Sequence, residues 1–468
     1  MPKATYLCEL GELVAQTRPE QLPQGVIEQA KLVLLDTLGA IVGGSQLPEI
    51  GTLARFYAAG GGFERATILG QEFKVPLKEA AFINGCAGVA LELDEGHRLA
   101  GGHPAVHVLP AALALAETRQ LSGRELLVAL VVGYEVAARI GMATSLRPMV
   151  HPHGTWGCLG AAAAAARLIG WPAERVAEAL SVTGSLTLAT SWCTALEGAT
   201  VRNAYAGLAN LSGLLAIELV AAGFTGPADG PGLTFNQATG EGFRAGEILI
   251  GLGSDWQITH NYFKFHACCA YNHPVLDALL ELRTARPFEP EEVEAIEVET
   301  WAKAAILANP EPESYLGAKF SIPFACATLI VYGSTRPEAF GPDTVRDPQV
   351  LALARKVRVR EDPELTKMVP AMRPARVKVW LRGGEVLTKF VPNPRGDRAG
   401  GKPAERDELE AKFLGLVEPV LGRLAALEAL GLIWRIEELP DVGSLAATLS
   451  RGFKDAAAGG ENRGFRGL

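Results

Sequence analysis

The sequence predicts a mainly α protein, in which N- and C-terminal segments form one large all-helical domain and a smaller α+β domain is inserted between them. Three observations lead there. From Leu22 to about Leu215 apolar residues recur at helical spacing, broken at Gly and Pro, with no alternating strand of any length. After Arg286 the texture changes to period-two alternation. Beyond the crossing Pro392-Asn-Pro394-Arg395-Gly396-Asp397 helical periodicity returns. A chain of 468 residues is also too long for one compact core. We therefore divide it into 1–269, 270–395 and 396–468, the outer two belonging to the helical domain.

The elements follow in order. Gln24–Val42 reads as a helix with Val26, Ala30, Val33 and Leu34 on one face and Gly43-Gly44 as its stop. Pro110–Arg119 and Gly123–Leu146 come next, then Gly160–Leu168, whose run Ala161 to Ala166 favours helix and lets neighbours approach closely. Ala206–Ala222 completes the set. In the inserted domain Glu294–Thr300, Lys356–Arg360 and Arg376–Trp380 alternate as strands, and Gly383-Gly384 turns the last into a hairpin with Val386–Val391. Phe320–Tyr332 and Pro348–Ala354 read as helices between them. Asp407–Leu430 is helical again, and the end from Gly452 is expected to fray.

Composition narrows the function. A net charge of −8 argues against nucleic acid, which requires a basic stripe. No basic-then-apolar leader appears in Met1 to Gly39, and the apolar stretch Leu126–Leu146 carries Glu135 and Arg139, as a buried helix does and a membrane span does not. Seven cysteines without framework spacing fit free thiols in a reducing cytoplasm. A small anionic substrate remains compatible, since a local basic pocket can sit in an acidic protein.

The chemistry-bearing residues are concentrated. All eight histidines lie between His97 and His273, seven of them in three polar islands. The first runs Glu92-Leu-Asp94-Glu95-Gly96-His97-Arg98 and then Gly101-Gly102-His103-Pro104-Ala-Val-His107. Pro104 suits a first helical turn, so His103 is expected at a helix N-terminus where free N–H groups favour an anion such as a substrate carboxylate; the plainer reading is a solvated acidic loop with His103 as a cap. The second, His151-Pro-His153-Gly154-Thr155, precedes the alanine helix and sets a hydroxyl beside a histidine. The third places Lys264, between Phe263 and Phe265, near His266, Cys268-Cys269, His273 and Asp277. Burial is expected either to lower the Lys264 pKa toward that of a base or to leave it a fixed cation for a carboxylate. The cysteine pair reads first as small buried hydrophobes.

A metal site competes with these readings, but His103/His107 lacks the Glu of H-E-x-x-H and no C-x-x-C occurs. Nucleotide loops and the G-x-S-x-G elbow are missing too. Acid–base chemistry on a small anion is left, with His and Lys removing a proton alpha to a carboxylate.

In order along the chain, Leu35-Asp36-Thr37-Leu38-Gly39, Ala81-Phe-Ile-Asn84-Gly85, the acidic stretch to His103-Pro104, His153-Gly-Thr155, Gly223-Phe224-Thr225-Gly226-Pro227, Lys264, Phe320-Ser321-Ile-Pro323-Phe324 and Pro394-Arg395-Gly396-Asp397 resemble the MmgE/PrpD family nearly end to end. That family includes 2-methylcitrate dehydratases, cis-aconitate decarboxylases and an iminodisuccinate epimerase. The resemblance implies a helical domain plus an α+β lid, a homodimer, a cleft site between the domains, and no metal or organic cofactor. By position it assigns functional roles to His103, His153 and Lys264 and places Asp94 in the acidic motif. Several positions depart from the pattern: Glu92-Leu-Asp94-Glu95-Gly96 stands where decarboxylase-type members have Asp-x-Asp-Asp-Thr, Arg202 where lysine is common, Cys269 for a histidine, and Phe324 where tyrosine is frequent. These changes argue against cis-aconitate as substrate and weaken the case for 2-methylcitrate.

The expectation is thus a cofactor-independent hydro-lyase acting on a small di- or tricarboxylic acid. His103, His153, Lys264, Asp94 and Glu92 are its catalytic candidates, and Arg202, His273, Cys269, Thr155 and Gly102 its substrate-binding ones. His97, His107, His151, His260 and His266 fall to supporting roles. Epimerisation of a dicarboxylate such as iminodisuccinate is the alternative, and a non-catalytic small-acid or metal-binding protein the remote one.

Overall fold

In the computed structural model, which describes residues 2–62, 65–400 and 402–452, helices dominate and the sheets are small. The expected fraying of the C-terminal end concerns 453–468, outside the described residues. The alanine helix, Gly157–Leu168, is wholly buried through Ala161–Ala166 and packs against Gly123–Ala143, Ala204–Ala221, Pro104–Thr118 and Ala173–Gly184. Small side chains make this possible. A Cβ on Gly133 would stand 2.8 Å from the Gly160 carbonyl oxygen, and one on Gly160 would stand 2.6 Å from that of Gly133.

Apolar side chains gather in two principal cores. One runs from Tyr6 to Phe263 and takes in Leu409 to Leu449; the other spans Ala267 to Val391 and adds Leu91, Leu93 and Ala195. Glu92 therefore sits between two leucines that belong to the second core, on a loop that leaves a helix, Leu77–Ala90, of the first. Lys412, from the helix Arg406–Leu421, bonds both the Asp36 carboxylate (2.6 Å) and the Leu93 carbonyl (2.7 Å) and so pins this loop from behind.

The second core is covered by a four-stranded sheet ordered Val386–Val391, Ala375–Leu381, Val293–Thr300, Val357–Glu361. The last pair is parallel and the others antiparallel, with Ile296 opposite both Val357 and Val379. Ala375, Val377, Val379 and Leu381 point inward in strict alternation, which is the signal the sequence carries.

Several boundaries differ from expectation for identifiable reasons. The helix expected over Pro110–Arg119 runs instead from Pro104 to Thr118 and keeps Pro110 inside it. Asn210 mends the break: its amide nitrogen donates to the Val106 carbonyl that Pro110 cannot reach, and its oxygen accepts from Ala111 N–H. The helix from Gly123 ends at Ala143, and Thr144–Leu146 pairs instead with Gly240–Phe243. Gly422, at φ 82°, splits the expected Asp407–Leu430 helix into Arg406–Leu421 and Arg423–Trp434. Ser321 caps the helix Ile322–Tyr332 by accepting from Phe324 N–H, so Phe320 lies outside it. Short strands Arg65–Thr67 and Lys74–Pro76 pair where none was expected, because three residues show no period.

The Gly133–Gly160 contact makes a direct test. Gly133→Ala should overpack this crossing and cost about 1–3 kcal/mol in denaturant unfolding; an unchanged midpoint would mean the helices separate freely.

Candidate active site

The acidic loop passes through Glu92 at φ 56°, a left-handed conformation that costs a non-glycine residue about 1–2 kcal/mol. It then runs as Gly96–His97 antiparallel to Asn261–Tyr262. That two-residue ladder joins the first and third histidine islands and brings Lys264 beneath the loop. The Lys264 ammonium lies 3.2 Å from Glu92 Oε2 and 3.4 Å from Asp94 Oδ1, and the Arg202 guanidinium is 2.5 Å from Glu92 Oε1. All four side chains are buried. Burial by itself raises a carboxyl pKa, yet Arg202 and Lys264 hold Glu92 below its usual value, and His103 and Lys264 hold Asp94 well below its own. Burial would likewise lower Lys264, but Asp94 and Glu92 together push it up. Lys264 is therefore a fixed cation, and a lowered, base-like lysine is ruled out by its two carboxylate neighbours.

His103 is the N-cap residue of the helix that Pro104 opens, as the sequence predicts. The anion slot there is already filled, however: Glu95 Oε1 accepts from Ala105 N–H (2.8 Å), and its other oxygen accepts from the Tyr134 hydroxyl (2.9 Å). A substrate carboxylate has no room at that helix end. Burial pushes the Glu95 carboxyl up to about 8 despite these donors. His103 Nδ1 lies 2.7 Å from the Glu95 carbonyl oxygen and 3.1 Å from Asp94 Oδ2. These acceptors place a proton on Nδ1 and leave Nε2 free to act as a base.

His153 stands next to His103, ring centroids 5.0 Å apart, and touches His107 (4.8 Å) and His151 (4.7 Å) as well. Both His153 ring nitrogens are buried without a protein partner. Burial, then the Arg202 charge and the neighbouring imidazoles, lowers its pKa far enough to keep it neutral. A glycine is needed where this group meets the alanine helix, since a Cβ on Gly157 would strike the His107 ring at 2.5 Å.

These side chains wall a small cavity of about 30 Å³, into which Glu92, His103, His151, His153, Arg202 and Cys269 all open. Trp192, Tyr262, Tyr271, Phe320 and Arg373 complete its wall. Burial and the Glu92 carboxylate push the Cys269 thiol up to about 11, so it is an uncharged wall group. Among the described residues no three or more His, Cys, Asp or Glu side chains converge to hold a metal ion.

Asp94 and Lys264 stand directly behind this wall. Three of the expected binding residues are placed elsewhere. The Thr155 hydroxyl is spent on the Pro152 carbonyl (2.6 Å), closing the turn. His273 packs on His266 behind Cys268, whose carbonyl oxygen it meets at 3.3 Å. Gly102 packs against Trp156, 2.5 Å from where a Cβ would be, and Gly101 faces the cavity instead. Arg373 and Tyr262 escaped the sequence reading because neither sits in a histidine island.

The chain matches the MmgE/PrpD N-terminal domain over residues 8–230 and the MmgE/PrpD C-terminal domain over 266–436. It belongs to the MmgE/PrpD family. Relatives include a cis-aconitate decarboxylase-like protein oryM of Aspergillus oryzae, 27% identical over 481 residues (96% of this chain, 98% of the relative). Others are cis-aconitate decarboxylases of Aspergillus terreus, 24% identical over 480 residues (96% of each chain), and of Homo sapiens, 27% identical over 451 residues (92% of this chain, 91% of the relative).

The departures from the family pattern now acquire partners. Glu92 and Arg202, each longer than the residue expected there, form one ion pair. Arg202 thus pairs with Glu92 through one guanidinium nitrogen while lining the cavity. Gly96, where a threonine was expected, has the Tyr262 hydroxyl 2.3 Å from its missing Cβ, so a tyrosine hydroxyl occupies the space of the lost side chain. Phe324, by contrast, is buried in the second core against Phe340 and contributes nothing to the cavity wall.

The raised Glu95 pKa has a measurable consequence. Between the ordinary glutamate value and about 8 the unfolded chain has lost this proton while the folded chain keeps it, so Glu95 makes stability fall as pH rises through that window. The slope is up to about 1.4 kcal/mol per pH unit. Glu95→Gln should gain stability over wild type steadily from pH 5 to pH 8 in parallel denaturant titrations; a constant offset would refute the shift.

Proposed function

We propose that this protein is a cofactor-independent hydro-lyase that removes a proton alpha to a carboxylate of a small di- or tricarboxylic acid. The observation that carries this reading is the His103–Asp94 pair opening onto a cation-rich cavity. In this scheme Asp94 holds the His103 Nδ1 proton, and Nε2 takes the alpha proton. Enolate-like charge then develops on the carboxylate, where the cations around the cavity stabilise it. Glu92, ionised and repelling carboxylates, faces the hydroxyl of the substrate; the proton taken by His103 returns to that hydroxyl, which leaves as water, and the neutral His153 donates a hydrogen bond to it.

The relatives are named for decarboxylation, a lyase reaction on a carboxylic acid. Glu92, Arg202 and Cys269, which depart from the decarboxylase pattern, all line the cavity and support a different acid for this chain. Epimerisation needs acid–base groups on opposite faces of one carbon. The two candidate histidines stand side by side, which favours elimination.

We further propose that the segments 1–269 and 396–468 act as one helical body and 270–395 as a lid over the cavity. The two hydrophobic cores support this division. A homodimer is proposed as well. Leu208, Leu211, Leu215 and Leu219 form an apolar stripe on the outward face of Ala204–Ala221, a surface suited to a second copy.

Proton NMR in deuterated buffer, with hydroxy-, amino- and imino-dicarboxylates and tricarboxylates as probes, should show alkene signals as water is lost. Deuterium exchange without loss of water would support epimerisation instead. On the responding acid, His103→Gln should lower kcat by roughly 10²–10⁴, and Asp94→Asn should lower kcat more than it alters KM. Full turnover by His103→Gln and Lys264→Met together would show the site to be wrong.

A further inference from the structure

We propose that Arg373 is the anchor for a second substrate carboxylate, so that the cavity selects dicarboxylates over monocarboxylates and tricarboxylates. This rests on the reading that the cavity is an acid–base site for a carboxylic acid. Arg373 comes from the segment just before the strand Ala375–Leu381, far along the chain from His103. It lines the cavity and is only 8% exposed.

What distinguishes it is the missing counter-charge. Glu92 is matched by Arg202 and Lys264, and Asp94 by Lys264 and His103. Among the described residues no carboxylate forms an ion pair with Arg373; the nearby Asp397 is held by Arg98 at 3.5 Å. Its guanidinium lies over two aromatic faces, 5.1 Å from the Tyr262 ring centre and 5.9 Å from that of Tyr271, and donates to the Arg98 carbonyl at 3.3 Å. Stacking fixes the plane of the fork, which is the arrangement that binds a carboxylate by two parallel hydrogen bonds. A buried cation facing an open cavity without an acid partner is costly until an anion arrives.

The charge balance indicates how many carboxylates the site takes. Around the cavity three fixed cations, Arg202, Lys264 and Arg373, face two ionised carboxylates, Glu92 and Asp94, leaving one positive charge in excess. One substrate carboxylate neutralises that excess at Arg373, the reacting carboxylate lies beside His103, and a third would enter a small cavity beside Glu92 with no cation to meet it.

Isothermal titration of the full chain with succinate, tricarballylate and butyrate tests the assignment. Wild type should bind succinate at least about tenfold more tightly than butyrate, as one charge-assisted bidentate contact provides, and more tightly than tricarballylate. Arg373→Gln should bring succinate and butyrate together while leaving the thermal midpoint unchanged or higher, because it removes a buried unpaired charge. Arg373→Met, which keeps the apolar stem on the tyrosines, should do the same and decides the matter if the Gln variant fails to fold. A preserved succinate preference in the folded variants overturns the proposal, as does a wild type that binds no succinate or prefers tricarballylate. His103→Gln separates the two readings: it should keep the succinate preference and lose turnover. Retained turnover there would sink the acid–base scheme while leaving the Arg373 measurement intact.

Discussion

Two ionised carboxylates in a dry interior are the constraint around which this molecule is organised. Glu92 and Asp94 are almost fully buried, and an unpaired buried carboxylate is severely destabilising unless cations and hydrogen bonds meet it. The fold meets that demand from far along the chain. Arg202 arrives at the start of one apolar helix, Lys264 just after a two-residue ladder, and His103 at a helix cap. The left-handed backbone at Glu92 is held by the same pairs. Three neighbouring acids consequently do three separate jobs: Glu92 faces the cavity, Asp94 steadies His103, and Glu95 closes the end of a helix.

Much of this was readable from residue order alone, for physical reasons that differ by element. The sheet strands announced themselves because one face is buried and alternation is strict, as at Ala375–Leu381. The alanine helix was visible because a run of small apolar residues has few other uses. The Pro104 helix was harder, since Pro110 reads as a stop and its repair by Asn210 comes from far along the chain. Histidine clustering located the cavity. It could not say which hydroxyls and rings were already spent on their own turn, as Thr155 is, or sat behind the wall, as His273 does. Arg373 left no local signal at all, because what marks it is its place on the cavity wall, which only the folded chain defines.

The altered positions behave as matched pairs. A longer acid at 92 meets a longer cation at 202, and the absence of a side chain at 96 makes space for the Tyr262 ring. Reverting one member alone leaves either a buried ion pair with one side chain shortened or a steric collision. The cavity has therefore changed character by coordinated exchange across its wall, which is why a position-by-position reading of substrate preference underestimates how far it differs from the decarboxylase pattern.

The Lys412 clamp on Asp36 and on the Leu93 carbonyl carries a further consequence for how the molecule is made. The acidic loop is synthesised 319 residues before the group that fixes its backbone from behind. Until then Glu92 and Asp94 have their cations without a fixed floor. The newly made chain can hold the helices that precede Lys412 while the loop carrying Glu92 and Asp94 still lacks its backing.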